Sequence, residues 1–321
     1  MNLRNVLVRS PIDDVQVLER ISVSLDGAIV FIGHSRRIEQ CIQAYDMRLG
    51  RQMYLTIPAQ KVGSRTWYVF EMAQGHLLLS AYNSASNSNK FFHATVDCRT
   101  QRVQLVQELR SFTNSPNRLF VGGCQWGPEV FIFHQLYADG HGAWHEIFRF
   151  NCLEATAAHC SQGHVTDGDT SLIPAGPLAM CAINEKLFIF PDEEEEHKEV
   201  LLIHFNKGMA ESVCELHPDP CRGYPGGERA QAADFCAKIW FLVRQPGEHE
   251  LWRLDVDALA WEFVSCLETD GDVCVRFTVS LHGQILIHRP STVWLRHAQL
   301  LVGYVAVPTL KHLATIALKR P

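Results

Sequence analysis

Short apolar runs recur along the whole chain, and most of them alternate with polar residues as β-strands do. The clearest are DGAIVFIG, QGHLLLSAY, WGPEVFIFH, NEKLFIFP and AKIWFLV. Each run follows a polar or small-residue corner and precedes a second apolar segment that ends in Asp or Asn. Alternation of this kind predicts strands that bury one face. We therefore predict an all-β chain.

The residue that ends the second segment returns at a nearly constant interval. In successive copies it is Asp46, Asp97, Asn151, Asn206 and Asp255, with spacings of 51, 54, 55 and 49 residues. Asp and Asn favour tight turns because the side chain accepts a hydrogen bond from a backbone N–H about two residues further on. A shortened sixth copy places His297 at the turn position. A period of roughly 50 residues is typical of β-propeller blades, and we predict six blades of four strands.

The segment NVLVR, residues 5–9, offers one further strand at the N-terminus. It is free to join the outermost strand of the last blade, which would close the ring and hide the open sheet edges. We therefore predict one propeller domain over residues 1–307. Two long β-sandwich domains are an alternative, but they do not explain the even spacing.

The strand pattern stops after Val307, and the remaining PTLKHLATIALKRP predicts a short C-terminal α-helix over residues 308–321. Pro308 suits the first turn of a helix. Apolar residues then fall on one face at helical spacing. The helix either packs back on the propeller as a cap or docks on a partner.

Composition excludes several classes of partner. The net charge of -6 and the pI near 6.2 leave no basic footprint for nucleic acid. No apolar run approaches the roughly 18 to 20 residues that span a bilayer, so we expect a soluble protein in the cytoplasm, the nucleus or both.

The 11 cysteines are scattered and odd in number, which favours reduced thiols over a disulfide framework.

The repeat units resemble kelch repeats, with a corner, an apolar strand, a loop, a strand ending in Asp, a tight turn and, at Trp261, a Trp in the fourth strand. The resemblance covers nearly the whole chain and implies a kelch-like β-propeller. The paired glycines that usually end the second kelch strand are absent, leaving only Gly33 there. A WD40 propeller is the structural alternative, but no Trp-Asp dipeptide occurs at any blade end.

The tail resembles the BC box by which substrate receptors bind Elongin C and Elongin B. The matching and adjoining positions are Thr309, Leu310, Leu313, Ala314, Ala317 and Leu318. Together, propeller and tail resemble substrate-recognition subunits of cullin-RING E3 ubiquitin ligases. The resemblance implies Elongin C, Elongin B and a cullin as partners, a protein or peptide as substrate, and no catalysis by this chain. The alternatives are a kelch-type scaffold or signalling adaptor without a ligase and, less favoured, a propeller hydrolase.

By analogy with kelch proteins, two sets of strand-end residues are expected to line a pocket on one face of the propeller. The inner-strand set is Arg65, Arg118 and either Arg229 or Glu228, with Trp67 as a flat apolar wall beside it. The set after the second strand is His34, Asn83, His134, Arg244 and His288. Arginine suits the capture of a carboxylate because its planar fork donates two parallel hydrogen bonds.

No catalytic or metal-binding motif accompanies these residues. Neither His159, Cys160 and His164 nor Cys214, His217 and Cys221 has the paired spacing of a structural zinc site. We find no sialidase-type box, nucleophile elbow or phosphate-binding glycine loop. The prediction is therefore a binding protein without a cofactor or metal.

Overall fold

The structure is a computed structural model that describes the chain as β-strands with their turns. The described residues are 4–8, 15–35, 41–57, 65–73, 75–83, 87–113, 118–126, 129–137, 143–151, 156–164, 166–167, 170–171, 179–183, 186–190, 199–204, 210–215, 231–235, 238–245, 248–268, 276–280, 282–289 and 298–304. Across these ranges we find no helix, and hence none long and apolar enough to cross a membrane. The predicted helix over residues 308–321 lies outside them.

The strands follow one another in short succession. In chain order they are β1 (Arg4–Val8), β2 (Val15–Val23), β3 (Ile29–Ser35), β4 (Cys41–Asp46), β5 (Arg51–Thr56), β6 (Arg65–Ala73), β7 (His76–Asn83), β8 (Ser88–Asp97), β9 (Arg102–Thr113), β10 (Arg118–Trp126), β11 (Glu129–Tyr137), β12 (Ala143–Asn151), β13 (Thr156–His164), β14 (Thr166–Asp167), β15 (Thr170–Ser171), β16 (Ala179–Ile183), β17 (Lys186–Phe190), β18 (Glu199–His204), β19 (Ala210–Glu215), β20 (Gln231–Phe235), β21 (Lys238–Gln245), β22 (Glu248–Asp255), β23 (Ala260–Glu268), β24 (Arg276–Val279), β25 (Gln284–Arg289) and β26 (Ala298–Tyr304).

The chain divides into two compact units, each built mainly from propeller-like groups of four antiparallel strands, and the short pair β14–β15 lies in unit 2. Unit 1 comprises residues 1–84, 90–108 and 273–321. Its four-stranded groups are β2–β5, β6–β9 and β24–β26 with β1 on the outer strand β26, and the parallel pairing of Thr56 with Arg102 joins the first two groups into one eight-stranded sheet. Unit 2 comprises residues 85–89 and 109–272, and its sheets are β10–β13, β16–β19 and β20–β23. The first strands of successive sheets are neighbours: β2 contacts β6 and β24, and β16 contacts β10 and β20.

Burial differs between the middle and outer strands of a sheet. In β4 every residue after Cys41 is buried, whereas β5, the outer strand of the same sheet, alternates between buried and accessible residues. A strand buried on both faces needs apolar partners from two neighbouring layers. One core of unit 1 supplies them by joining residues of β3–β5 to residues of β6–β9, and a core of unit 2 joins β16–β18 to β21 and β22.

The predicted turns are confirmed at Asp46, Asp97 and Asp255, where three hairpins repeat the same hydrogen bonds. The Asp255 carboxylate accepts from the backbone N–H groups of Asp257 and Ala258, both at 3.1 Å. Asp46 and Asp97 accept likewise from the residues two and three positions later. Each turn ends in a residue with positive φ, namely Gly50 at 62°, Gln101 at 54° and Leu259 at 49°. Asn151 ends β12, and Asn206 and His297 lie outside the described residues.

One buried carboxylate joins two sheets of unit 1. Glu71 near the end of β6 accepts hydrogen bonds from Gly75 N in its own hairpin, at 2.9 Å, and from Leu25 N in the β2–β3 turn, at 2.7 Å. The Ser22 hydroxyl donates to the Val69 carbonyl oxygen between the same two first strands. Burial raises the pKa of Glu71, and the nearby Asp26 adds to this while the two N–H donors and Arg48 oppose it.

Replacing Asp255 with Ala should lower the melting temperature at neutral pH, because the turn loses an acceptor for two backbone N–H groups. Those donors and Lys238 hold the pKa of Asp255 at about 2, below the 3.8 of a free side chain. A depressed pKa contributes stability above the unfolded value, and that stability is lost as pH falls through the folded value. Thermal melts should therefore converge for the two proteins under acid conditions. Asp257→Ala is the control, since it keeps the backbone donor, and an equal loss in both variants would contradict the assignment.

Replacing Glu71 with Gln should change how stability depends on pH. A carboxyl whose pKa is raised by folding contributes stability below its unfolded pKa of about 4.5, and that contribution is lost as pH rises through the folded value. The melting temperature of the native protein relative to Glu71→Gln should thus decrease from acid to neutral pH. Glu108→Gln, which changes an exposed carboxylate paired with Lys90, should show no such trend. Parallel curves for native protein and Glu71→Gln would refute the role of Glu71.

Candidate functional site

The residues predicted to line a pocket lie at one end of their strands. In unit 1, Arg65 begins β6 opposite Tyr82, and Asn83 ends β7. His34 is the penultimate residue of β3, and Trp67 is the third residue of β6. In a meander, the start of the first strand and the end of the second lie at the same edge of the sheet, so these four positions share an edge.

Unit 2 repeats this arrangement. Arg118 begins β10 opposite Leu136, and His134 lies two residues before Leu136 in β11. Arg244 is the penultimate residue of β21, opposite His249. Arg229 lies outside the described residues, as do all the tail positions from Thr309 to Leu318. The backbone thus places the described candidates at corresponding strand ends in each unit, and their ligand contacts stay a prediction.

His288, the last of the predicted residues, lies deep in its sheet. It pairs with Arg276 across β24 and β25 and is 2% exposed. Burial, aided by the positive charge of Arg276, lowers the pKa of His288 to about 3. The imidazole is therefore neutral at physiological pH, and Arg276 supplies the charge at this position.

A group of potential catalytic side chains that sequence reasoning missed lies in the last sheet of unit 2. Carboxylate oxygens of Glu248 and Glu250 and the Cys266 sulfur all lie within 4.8 Å of one another. Glu248 and Glu250 alternate along β22 and so share one face, and Cys266 is the register partner of Glu250 on β23. We call these three residues the Glu–Glu–Cys cluster. Two carboxylates and a thiol could ligate a divalent cation. Two close carboxyl groups could also act as the pair of catalytic groups, one as proton donor and one as nucleophile, that many glycosidases use.

The members of the cluster differ in exposure. Glu250 is 5% exposed, and one of its oxygens accepts a 2.9 Å hydrogen bond from the Trp252 indole N–H. Glu248 is half-buried and Cys266 is exposed. Trp252 also meets the exposed Phe263 edge-on, with ring centroids 5.1 Å apart. The arrangement therefore combines a fixed carboxylate, a more accessible carboxylate and an aromatic flank.

The comparisons with known proteins identify a fold and no family. No protein-family model matches the chain, and no curated protein matches it. Among solved structures, the α-L-arabinanase of Penicillium chrysogenum, complexed with arabinobiose, has a TM-score of 0.63 at 11% identity, over 96% of this chain and 100% of that one. The GH93 α-L-arabinofuranosidase of Fusarium graminearum, also with arabinobiose, has a TM-score of 0.60 at 11% identity, over 94% and 97%.

These findings contradict the predicted ligase receptor. The chain resembles an α-L-arabinanase and an α-L-arabinofuranosidase in fold, and no protein-family model, kelch repeats included, matches it. The predictions of a kelch-type substrate receptor, of Elongin C, Elongin B and cullin as partners, of a protein or peptide substrate and of a protein without enzymatic activity are therefore wrong. The reason is physical: a repeated strand–turn unit of about 50 residues is a property of propeller blades in general, so it does not distinguish kelch repeats from other blades.

Proposed function

We propose that this chain is a β-propeller glycoside hydrolase that acts on arabinose-containing oligosaccharides. The observation that carries the proposal is the likeness in fold to an arabinanase and an arabinofuranosidase over nearly the full length of both partners. The Glu–Glu–Cys cluster supports it, because glycoside hydrolysis generally requires two carboxyl groups on either side of the scissile bond. Among the alternatives drawn from the sequence, a propeller hydrolase was the least favoured, and it is the function that we now propose.

We further propose that the four-stranded sheets of the two units are the blades of a six-bladed propeller. The sheets β2–β5, β6–β9, β10–β13, β16–β19 and β20–β23 would each form one blade, and β24–β26 with β1 would form the last. The pairing of β1 with β26 supports this arrangement, because a strand from the N-terminus then completes a sheet from the C-terminal part of the chain.

The location of the protein in the cytoplasm or the nucleus also stays a proposal.

In the proposed mechanism the two glutamates have different tasks. Glu250, held by the Trp252 indole, is the nucleophile: its carboxylate attacks the anomeric carbon, and the bond to the leaving oxygen breaks. Glu248, which is more accessible, donates the proton that the leaving oxygen takes up. Water then attacks the glycosyl ester while Glu248 accepts a proton from it, which releases the sugar and restores both carboxyl groups. Phe263 offers an apolar flank for a sugar ring.

Replacing Glu248 or Glu250 with Gln should lower kcat for arabinotriose hydrolysis by about 100-fold or more, because each change removes a group that transfers a proton or forms a bond in the transition state. The assay is the rate at which the purified native protein and each variant release arabinose from arabinotriose. Glu262→Gln is the matched control, since Glu262 lies in the same sheet, is exposed and forms an ion pair with Arg253. Full activity in either cluster variant, at an unchanged melting temperature, would eliminate the cluster as the active site.

The stereochemistry of the product gives an independent check. Retaining glycosidases hold their carboxyl groups roughly 5 to 5.5 Å apart, whereas inverting enzymes need roughly 6.5 to 9.5 Å to admit a water molecule. Because the Glu248 and Glu250 oxygens lie within 4.8 Å, we expect retention. Proton NMR of the first-formed anomer distinguishes the outcomes, and inversion would contradict the proposed mechanism.

A further inference from the structure

Two histidines on neighbouring strands of unit 1 face each other through their ring nitrogens. His76 begins β7, His93 lies in β8, and His76 Nδ1 is 2.9 Å from His93 Nε2. The ring centroids are 5.2 Å apart, and the ring planes are inclined by 27°. The centroids are thus further apart than the nitrogens by about twice the distance from the centre of an imidazole ring to its nitrogen. The two nitrogens therefore point at each other and form a hydrogen bond, and we call these residues the histidine pair.

The histidine pair lies beside the β6–β7 turn. His93 is 7% exposed and His76 is half-buried. Gly75, which precedes His76, accepts a 2.9 Å hydrogen bond from Val96 N of β8 and donates one of 2.9 Å to Glu71. The histidine pair therefore adds a side-chain link between β7 and β8 at the turn that Glu71 connects to the β2–β3 turn.

Burial decides where the protons of the histidine pair lie. A neutral imidazole carries a proton on one of its two nitrogens, so one proton lies between the rings and the second lies on His76 Nε2 or on His93 Nδ1. Among the residues that the structure describes, His93 Nδ1 is buried and has no hydrogen-bond partner. For backbone groups, buried N–H donors without an acceptor are rarer than under-satisfied acceptors. The same preference places the second proton on His76 Nε2, so that His93 Nε2 donates to His76 Nδ1.

A third proton is opposed in either of its two positions. If the hydrogen bond stays intact, the remaining nitrogen is His93 Nδ1, and protonation there puts a charge and an unpaired N–H in a buried site. If His76 Nδ1 takes the proton instead, two N–H groups face each other and the hydrogen bond is lost. Burial, followed by the charge of His76, accordingly lowers the pKa of His93. The histidine pair is thus either neutral and bonded or charged and separated.

The other titratable side chains of β6–β9 have partners of their own or lie in other places. Glu71 of β6 accepts from two backbone N–H groups, and Asp97 at the end of β8 accepts from the turn that follows it. Glu108 of β9 pairs with Lys90 at 3.0 Å. Burial raises the pKa of the Cys98 thiol, which keeps it neutral. Arg65 begins β6 at its other end, and the exposed arginines are Arg99, Arg102 and Arg110.

We propose that the histidine pair is an acid-sensitive link that holds β7 to β8 beside the β6–β7 turn at neutral pH and releases them in acid. A histidine kept neutral by folding contributes stability above its unfolded pKa of about 6.5, and that stability is lost as pH falls from there towards the lower folded value. The Glu71 carboxyl has the opposite dependence, because its raised pKa contributes stability in acid. The link does not depend on the proposed hydrolase.

Hydrogen exchange of the intact chain at pH 7 and pH 5, corrected for the intrinsic effect of pH on exchange, tests the proposal. We expect the amides of β7 and β8 beside the histidine pair to exchange about tenfold faster at pH 5, since the loss of one hydrogen bond changes local opening by about that factor. In His76→Phe, which keeps a flat ring without the acceptor, exchange should already be fast at pH 7 and change little with pH. His282→Gln in the β24–β25 turn is the matched control and should behave as the native protein does. Melting temperatures establish that both variants are folded.

Nuclear magnetic resonance of the ring nitrogens in the native protein, with isotope-labelled histidine, gives a second measurement that needs no variant. We expect both rings to carry their proton on Nε2 at pH 7, with a scalar coupling between His76 Nδ1 and His93 Nε2 across the hydrogen bond. Uptake of a proton by both rings near pH 6.5 with the coupling retained would overturn the proposal. An equal rise of exchange in native protein and His76→Phe would also overturn it, as would an equal rise in β21 and β22 of unit 2, because acid would then act on the whole chain.

Discussion

Middle strands such as β4, β17 and β21 are buried on both faces wherever the structure describes their side chains, and this double burial is the constraint on which the rest of the fold depends. A single sheet could not cover both faces of β4, whose residues after Cys41 are all buried. Burying one large apolar side chain contributes about 1.5 to 3 kcal/mol, so leaving either face in water would cost many such contributions. Sheets must therefore stack face to face, as they do in the cores that join β3–β5 to β6–β9 and β16–β18 to β21 and β22.

Stacked apolar faces leave the strand ends and the turns as the places for polar chemistry. The carboxylates at Asp46, Asp97 and Asp255 accept hydrogen bonds from backbone donors within their own turns. Glu71 differs, because it is buried and binds the turn of a neighbouring sheet. A buried carboxylate is tolerated when donors surround it, and here the donors also align two sheets of unit 1. The Glu–Glu–Cys cluster lies at the other edge of its sheet, where β22 begins and β23 ends.

The parts of the fold that depend on local sequence could be predicted. Each hairpin turn at Asp46, Asp97 and Asp255 follows from one side chain and the backbone beside it, so a single sequence contains the necessary information. The alternation of β5 between buried and accessible residues can be read in the same way. The role of Glu71 could not, because its second donor, Leu25 N, lies 46 residues away and is brought near only by the stacking of two sheets.

The Glu–Glu–Cys cluster shows a second limit of sequence reasoning. Extending the register of the β22–β23 hairpin from its turn, where Asp255 pairs with Ala260 and Trp252 with Phe263, would place Ser265 opposite Glu250. A bulge between Leu251 and Trp252 shifts the pairing by one residue and brings Cys266 there instead. Bulges depend on local twist and on packing against other sheets. The sequence of the β22–β23 hairpin alone therefore does not predict the position of this bulge.

The error about function has the same origin on a larger scale. Blade geometry demands apolar strands, an Asx turn and a regular period, so any propeller chain offers these features whatever it binds. The kelch resemblance rested on them, and the two glycosidases share the fold at 11% identity. Function depends instead on a few side chains at strand ends, whose neighbours come from other strands and other sheets. The carboxylate pair proposed as the active site is an example, because its position beside Cys266 becomes visible only when the register of β22 and β23 is known.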